Sequence, residues 1–259
     1  MQGATVVITG GNAGIGKETA IGLAEQGAQV LITARDAQRG ADAVAEIRAR
    51  TGSDTVDVVA LDLADLASVR RCAAELLQRS DRLDVLVCNA GLVMSRRTET
   101  ADGFETTFGV NHLGHFLLTN LLLDRLRASA PSRVVVVSSD AHKQARRGLD
   151  FDDLQSERSY RPFAVYGKTK LANIYFGHEL ARRLEGTGVT ANSLHPGFVA
   201  SRFARDGDTG FLISTIGMTL ARPFAISQAA GARTSIWLAS SPDVDGRSEE
   251  RRVGKECRL

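Results

Sequence analysis

Tyr166 and Lys170 lie four residues apart in the stretch Tyr166-Gly167-Lys168-Thr169-Lys170, near the start of a long apolar segment. On a helix that spacing puts a phenol and an ammonium on one face, one turn apart. A free phenol, with a pKa of about 10, is a poor proton donor and acceptor at neutral pH. A nearby cation stabilises the phenolate and moves that pKa towards the working range of a general acid or base. The short spacing alone fits a surface Tyr and a surface Lys equally well, so residues elsewhere must decide.

The first of these are glycines. Thr9-Gly10-Gly11-Asn12-Ala13-Gly14-Ile15-Gly16 follows a strand-like run, and a helix pattern opens at Lys17. Glycines at these positions let the chain turn sharply and let backbone N–H groups approach a phosphate. The helix N-terminus behind them adds a partial positive charge. An ordinary strand-to-helix turn seldom needs three spaced glycines. The second strand-like run ends in Thr33-Ala34-Arg35-Asp36. In dinucleotide folds an acid at this strand end binds the adenosine ribose 2′-hydroxyl, and an Arg nearby accommodates a 2′-phosphate. Ala34 stands where the acid would be and Arg35 follows, which favours NADP(H) over NAD(H). The plain alternative is a solvated Arg35 partly neutralised by Asp36. Asp62 and Leu63 follow the third run, where an Asp can accept from an adenine amine. Asn89-Ala90-Gly91 ends the fourth, where small residues admit a ligand to the backbone. Strand ends also carry Asp, Asn and Gly simply to make turns.

The elements that would hold these residues alternate along the chain. Strand-like runs rich in β-branched residues are Ala4–Thr9, Ala28–Thr33, Val56–Leu61, Leu83–Cys88, Arg133–Ser138 and Val189–Leu194. Between them Gly16–Gln26, Ala37–Arg50, Ala67–Arg79, Gly103–Ala128 and Tyr166–Glu185 are long enough for crossover helices, and Gln228–Ala239 reads as a last helix. Such alternation predicts one parallel sheet with helices on both faces. The chain has 259 residues, 43% hydrophobic and 24% charged, the composition of one globular α/β domain with a sizeable core. A net charge of +2 argues against nucleic acid as a partner. There is no apolar run of about 18 residues to span a membrane, and no signal peptide ahead of the first strand, so cytoplasm is expected. Cys72, Cys88 and Cys257 lack metal-ligand spacing and suit a reducing compartment. His112 and His115, spaced i, i+3, lack further fixed ligands, so helix packing is the expected role and no metal site is predicted.

The motifs Thr9-Gly10-x-x-x-Gly14-x-Gly16, Asn89-Ala90-Gly91, Asn111, Ser139, Tyr166-x-x-x-Lys170 and Pro196-Gly197 together resemble the short-chain dehydrogenase/reductase family, over residues 4 to about 246. Val110-Asn111-His112-Leu113-Gly114-His115-Phe116, Lys170-Leu171-Ala172-Asn173 and His195-Pro196-Gly197 resemble its retinol dehydrogenase and WW-domain oxidoreductase branch. The resemblance implies a Rossmann-type doubly wound sheet of order 3-2-1-4-5-6 and an oxidoreductase moving hydride between a nicotinamide and a small carbonyl or alcohol. It implies that Tyr166 is the general acid/base. Lys170 lowers its pKa and binds the nicotinamide ribose. Ser139 donates to the substrate oxygen. Asn111 kinks its helix and holds a water that relays protons to Lys170. Gly10, Asn12, Gly14, Ile15, Gly16, Arg35, Asp62, Leu63, Asn89, Ala90, Gly91, Tyr166, Lys170, Pro196, Gly197, Val199 and Ser201 are the expected cofactor contacts, with Val199 meeting the carboxamide and Ser201 standing for the family's Thr. Homodimers or homotetramers are implied as well.

Two regions stand apart. Residues 140–165 are expected as a longer loop near the pocket mouth, and 202–227 as an apolar lid suited to a hydrophobic substrate. After Gly246 the sequence RSEERRVGKECRL has no pattern that suits the fold and is expected to be a non-native tail, a translated sequencing adapter, with the seventh strand missing. Two functions compete with an enzyme: an NADP-binding regulatory protein without turnover, and an inactive truncated fragment.

Overall fold

The structure, a computed structural model, describes residues 1–197, 199, 226–248 and 251–252. Six strands carry the sheet: β1 (Thr5–Ile8), β2 (Gln29–Ala34), β3 (Val56–Ala60), β4 (Val85–Cys88), β5 (Ser132–Val137) and β6 (Val189–His195). All pairings are parallel, and the order is 3-2-1-4-5-6. The central strands β1, β4 and β5 read as near-continuous apolar runs because both faces are covered. Val6, Ile8, Val30, Ile32, Val85, Val87, Val135 and Val137 pack towards one helix layer. Val7, Leu31, Leu86, Val134 and Val136 pack towards the other. Alternate residues of one strand thus feed two separate cores.

The first layer is α1 (Gly14–Ala24), α2 (Ala37–Thr51) and, late in the chain, Gln228–Ser240. The second is α3 (Leu66–Arg79), α5 (Gly114–Ala128) and α6 (Pro162–Arg183). A one-turn α4 (Thr106–Phe108) and a π-helical turn, Gly109–Leu113, lead directly into α5. The late helix Gln228–Ser240 is α7. Local chemistry fixes several ends. Asp36 caps α2 by accepting from Arg39 N–H, and Gly52 closes it at φ 69°. Asp65 caps α3 through Ala67 N–H, and Pro162 occupies the first turn of α6.

The sheet edge departs from expectation. Arg251–Arg252 forms a two-residue β7 paired in parallel with Leu194 and His195. Ahead of it, Asn192 donates to the Arg247 carbonyl at 2.9 Å, and Ala191 N–H donates to Ser248 Oγ at 3.1 Å. The free edge of β6 presents unpaired backbone groups that any extended segment can satisfy, whatever its side chains. Among the described residues no helix is long and apolar enough to cross a membrane.

Candidate active site

The sheet order reverses between β1 and β4, and in open α/β sheets the crevice at that point receives the ligand. The β1–α1 loop enters it. Gly10 and Gly14 have φ of +64° and +58°, a region favouring glycine. A Cβ on Gly16 would stand 2.5 Å from the Gly10 carbonyl oxygen. Ala13, the N-cap of α1, offers no side-chain cap, so the loop faces backbone N–H groups lacking a side-chain acceptor. Asn12 and Ile15 lie in and just after this loop.

Asn89, Ala90 and Gly91 follow β4 and close on the same loop. Thr9 Oγ1 accepts from Asn89 N–H at 2.8 Å and from Ala90 N–H at 3.0 Å, while Asn89 Nδ2 donates to the Thr9 carbonyl at 2.8 Å. The Asn89 amide therefore ties the ends of β1 and β4 together. Arg35 is exposed just beyond β2. The carboxylate of Asp36 is engaged by Arg39 N–H at 2.8 Å rather than by Arg35. One oxygen of Asp62 accepts from Ala64 N–H at 2.9 Å, making a local turn after β3. Leu63 is buried against Gly114, where an added Cβ would meet its carbonyl oxygen at 2.9 Å. Pro196 and Gly197 continue from β6, and Val199 bridges Ile226 beside Gly231 of α7 and Ile15. Ser201 and residues 202–225 lie outside the described residues.

Ser138 and Ser139 follow β5 and differ sharply. Ser138 is buried, and its hydroxyl donates to the Lys170 carbonyl at 2.8 Å. Ser139 caps the short helical turn Asp140–Gln144 by accepting from Ala141 N–H at 3.2 Å, and its hydroxyl lies close enough to the Tyr166 phenol to lower that group's pKa. The approach of α6 that makes this contact depends on Gly167, since a Cβ there would stand 2.6 Å from the Ala141 carbonyl oxygen. Tyr166, in the second turn of α6, and Lys170, one turn later, share a face as their spacing requires. Lys170 Nζ lies 5.6 Å from the Tyr166 ring centroid and donates to the Val137 carbonyl at 3.0 Å.

The electrostatics run against the simple expectation. Burial pushes the Tyr166 phenol up to about 12, only partly countered by the Ser139 hydrogen bond. Burial also pushes the Lys170 ammonium down to about 8. Desolvation dominates both groups, and the ammonium is directed at a backbone carbonyl rather than at the phenol oxygen.

Asn111 lies in the π turn and is fully buried. Its Oδ1 accepts from Leu92 N–H at 2.8 Å, and its Nδ2 donates to the Leu92 carbonyl at 2.9 Å and to Thr169 Oγ1 at 3.1 Å. The side chain therefore serves as a brace between the loop after β4 and α6. π turns recur at functional sites for this kind of local re-aiming. Thr9 opens the glycine-rich motif, but no role for its side chain follows from sequence, and His115, Thr169 and Asn173 are given no place in the crevice there, although the paired histidines of the Asn111 segment are the available signal. His112 Nδ1 meets Asn173 Oδ1 at 3.1 Å, and Asn173 Nδ2 shares the Val137 carbonyl with Lys170, at 3.3 Å.

Comparison with known proteins agrees with this architecture. The short chain dehydrogenase family model matches residues 4–150. Retinol dehydrogenase 14 of Mus musculus is 49% identical over 256 residues, covering 95% of this chain and 76% of its own. Retinol dehydrogenase 12 of Homo sapiens is 48% identical over 245 residues, with the same coverage of 95% and 76%. Among solved structures, the Pseudomonas aeruginosa RhlG/NADP active-site complex superposes with a TM-score of 0.78 at 28% identity, covering 98% of this chain and 95% of that one. With a switch-point crevice, a glycine-rich entry loop and relatives of this identity, the chain belongs to the short-chain dehydrogenase/reductase family of oxidoreductases, in its retinol dehydrogenase-like branch.

Proposed function

We infer that this chain is an NADP(H)-dependent oxidoreductase that interconverts a carbonyl and an alcohol on an apolar small molecule, with Tyr166 as proton donor and acceptor. The observation that carries this reading is the Tyr166 phenol beside the Ser139 hydroxyl, just after β5, with buried Lys170 one helical turn away. The residues present suit a dinucleotide. Gly14 is open at the uncapped start of α1, and Gly10 and Gly16 let the loop pack tightly against Asn89 and Ala90, which suits a pyrophosphate there; Gly91 after β4 and Pro196, Gly197 and Val199 after β6 are assigned to the rest of the dinucleotide. Arg35 is exposed beyond β2 with Asp36 engaged elsewhere, which supports a 2′-phosphate and so NADP(H). When bound, the nicotinamide supplies or takes the hydride.

The chain's own part is the proton. A phenol held up to about 12 is protonated at neutral pH, so the resting site is set to donate to a carbonyl oxygen. Ser139 presents its hydroxyl to the same oxygen and steadies the charge that develops there. Lys170, pushed down to about 8, is mostly cationic at pH 7 and supports the phenolate left behind. Asn111 fixes α6 through Thr169, beside Lys170. The retinol dehydrogenase relatives support an apolar aldehyde or primary alcohol as substrate.

The test follows absorbance at 340 nm with NADPH across a panel of aldehydes and ketones that includes retinal. Turnover by the wild-type chain, with Tyr166→Phe binding NADPH equally but slower by at least about a thousandfold, is expected. Binding without turnover on every carbonyl would replace this reading with a regulatory, non-catalytic role.

A further inference from the structure

His115, the second residue of α5, plays no part in the proton transfer above, yet it is 2% exposed and has both ring nitrogens engaged. Nε2 lies 2.8 Å from Thr9 Oγ1, and Nδ1 lies 3.2 Å from the Asn111 carbonyl oxygen. Counting hydrogens fixes the tautomer. A hydroxyl offers two acceptor lone pairs and one proton. The Thr9 oxygen already accepts from Asn89 and Ala90 N–H. Its own proton therefore goes to His115 Nε2, since the Val87 carbonyl stands farther off at 3.4 Å. Nε2 accepts, so Nδ1 carries the hydrogen and donates it to Asn111.

The bonds continue on both sides. Asn111 Nδ2 donates to Thr169 Oγ1 at 3.1 Å, and Thr169 Oγ1 donates to the Tyr166 carbonyl at 2.8 Å. An unbroken line of hydrogen bonds thus runs from the first residue of the glycine-rich loop, through His115 and the π turn, to the backbone of Tyr166. An imidazole accepts at one end and donates at the other across its ring. The shorter amide of Asn reproduces the Nδ1 end, and that of Gln the Nε2 end.

We propose that His115 is a positioning residue that couples the dinucleotide loop at Thr9 to the π turn at Asn111, so that the cofactor seat and the helix bearing Tyr166 keep one relative geometry. The proposal rests on the reading of this crevice as a hydride-transfer site, and the measurements separate the two. NADPH affinity is measured by nicotinamide fluorescence on the full chain, alongside kcat on the best carbonyl of the panel. His115→Asn keeps the bond to Asn111 and frees Thr9, so its NADPH dissociation constant rises about tenfold. His115→Gln keeps Thr9 and frees Asn111, so NADPH affinity stays within about twofold while kcat falls about tenfold. Both quantities within about twofold of wild type in both variants would overturn the proposal and leave His115 as packing alone. If the wild-type chain turns nothing over, the affinity arm still decides: an unchanged constant in His115→Asn overturns it. Should the variants fold poorly, 15N spectra of the wild-type ring decide. A neutral imidazole protonated at Nδ1 is expected, and protonation at Nε2 or a charged ring at pH 7 overturns the proposal.

Discussion

Both helix layers carry surface ion pairs, Glu179 with Arg182 and Arg183 on α6 among them, but the linked set of buried polar side chains lies on the α5–α6 side. On the α1–α2 side, charges pair at the surface: Lys17 with Glu46 at 2.6 Å, and Arg50 with both oxygens of Glu18 at 2.8 and 3.0 Å. The buried set on the α5–α6 side is mostly neutral, and each group satisfies another: Thr9, Asn111, His115, Thr169 and Asn173, with Lys170 the one cation among them. Exposed ion pairs exchange water for protein at little net gain. A buried network has no water to fall back on, so each lost partner costs the full desolvation of what it leaves behind. Substitutions of similar size should therefore have very unequal effects at surface pairs and within the buried network.

The sharpest break of that contrast is at Gly167. A Cβ there meets a backbone oxygen at 2.6 Å, and backbone cannot swing aside. Gly167→Val is expected to push α6 off the Asp140–Gln144 turn, part Tyr166 from Ser139 and lower kcat about a hundredfold. NADPH affinity should change much less. Equal loss of both would mean that the whole crevice, rather than the Tyr166–Ser139 contact, depends on this glycine.

His115 gives the next largest effect, read as stability against pH. Burial, with Lys170 and His112 nearby, holds its pKa down to about 3 against an ordinary value of 6.5. The folded state therefore binds fewer protons than the unfolded chain between those two values. Its contribution is intact above about pH 6.5 and is lost as pH falls towards about 3, at about 1.4 kcal/mol per unit. Urea unfolding of wild type and His115→Gln at pH 7 and pH 5 isolates it: the gap between the two should shift in favour of the variant by more than about 1 kcal/mol at the lower pH. A gap independent of pH would mean that the ring is reached by water or already charged.

Much of this was legible in the chain itself, and the misses have physical causes. Six β-branched runs located the six strands, because a sheet covered on both faces needs continuous apolar sequence. Tyr166 and Lys170 share a face because helix spacing alone sets it, whereas Ser139 reaches them through the packing of α6 against the Asp140–Gln144 turn. A helix distortion at Asn111 was implied by the family resemblance, and the π turn lies there; what the sequence did not reveal is that Asn111 braces Leu92 and Thr169, neither of them sequence neighbours. The direction of the Tyr166 shift was misjudged for a related reason: sequence reveals a cation four residues on, whereas burial comes from the fold. β7 escaped because its pairing uses backbone alone.

Arg35 lies between the two regimes: it is exposed like the surface pairs, yet the proposed NADP(H) reading gives it a 2′-phosphate to bind. Arg35→Asp should move the NADPH-to-NADH preference towards NADH by about tenfold or more, with kcat on the preferred cofactor little changed. An unchanged ratio would assign Arg35 to the solvated class, and Arg39, three residues into α2, would be the next residue to test.

The smallest effect expected is at Lys17–Glu46. Lys17 follows Gly16 directly and is a tempting phosphate ligand, but its ammonium is already held by Glu46, whose carboxyl it lowers below the usual range. Glu46 is 46% exposed, so water screens the pair, and its worth is about 0.2–1 kcal/mol at low salt. Lys17→Gln should therefore lower stability by no more than that, lose most of the difference in about 0.5 M salt, and leave NADPH affinity within about twofold. A large loss of affinity would show that Lys17 exchanges Glu46 for a phosphate, and the α1–α2 surface would then take part in cofactor binding.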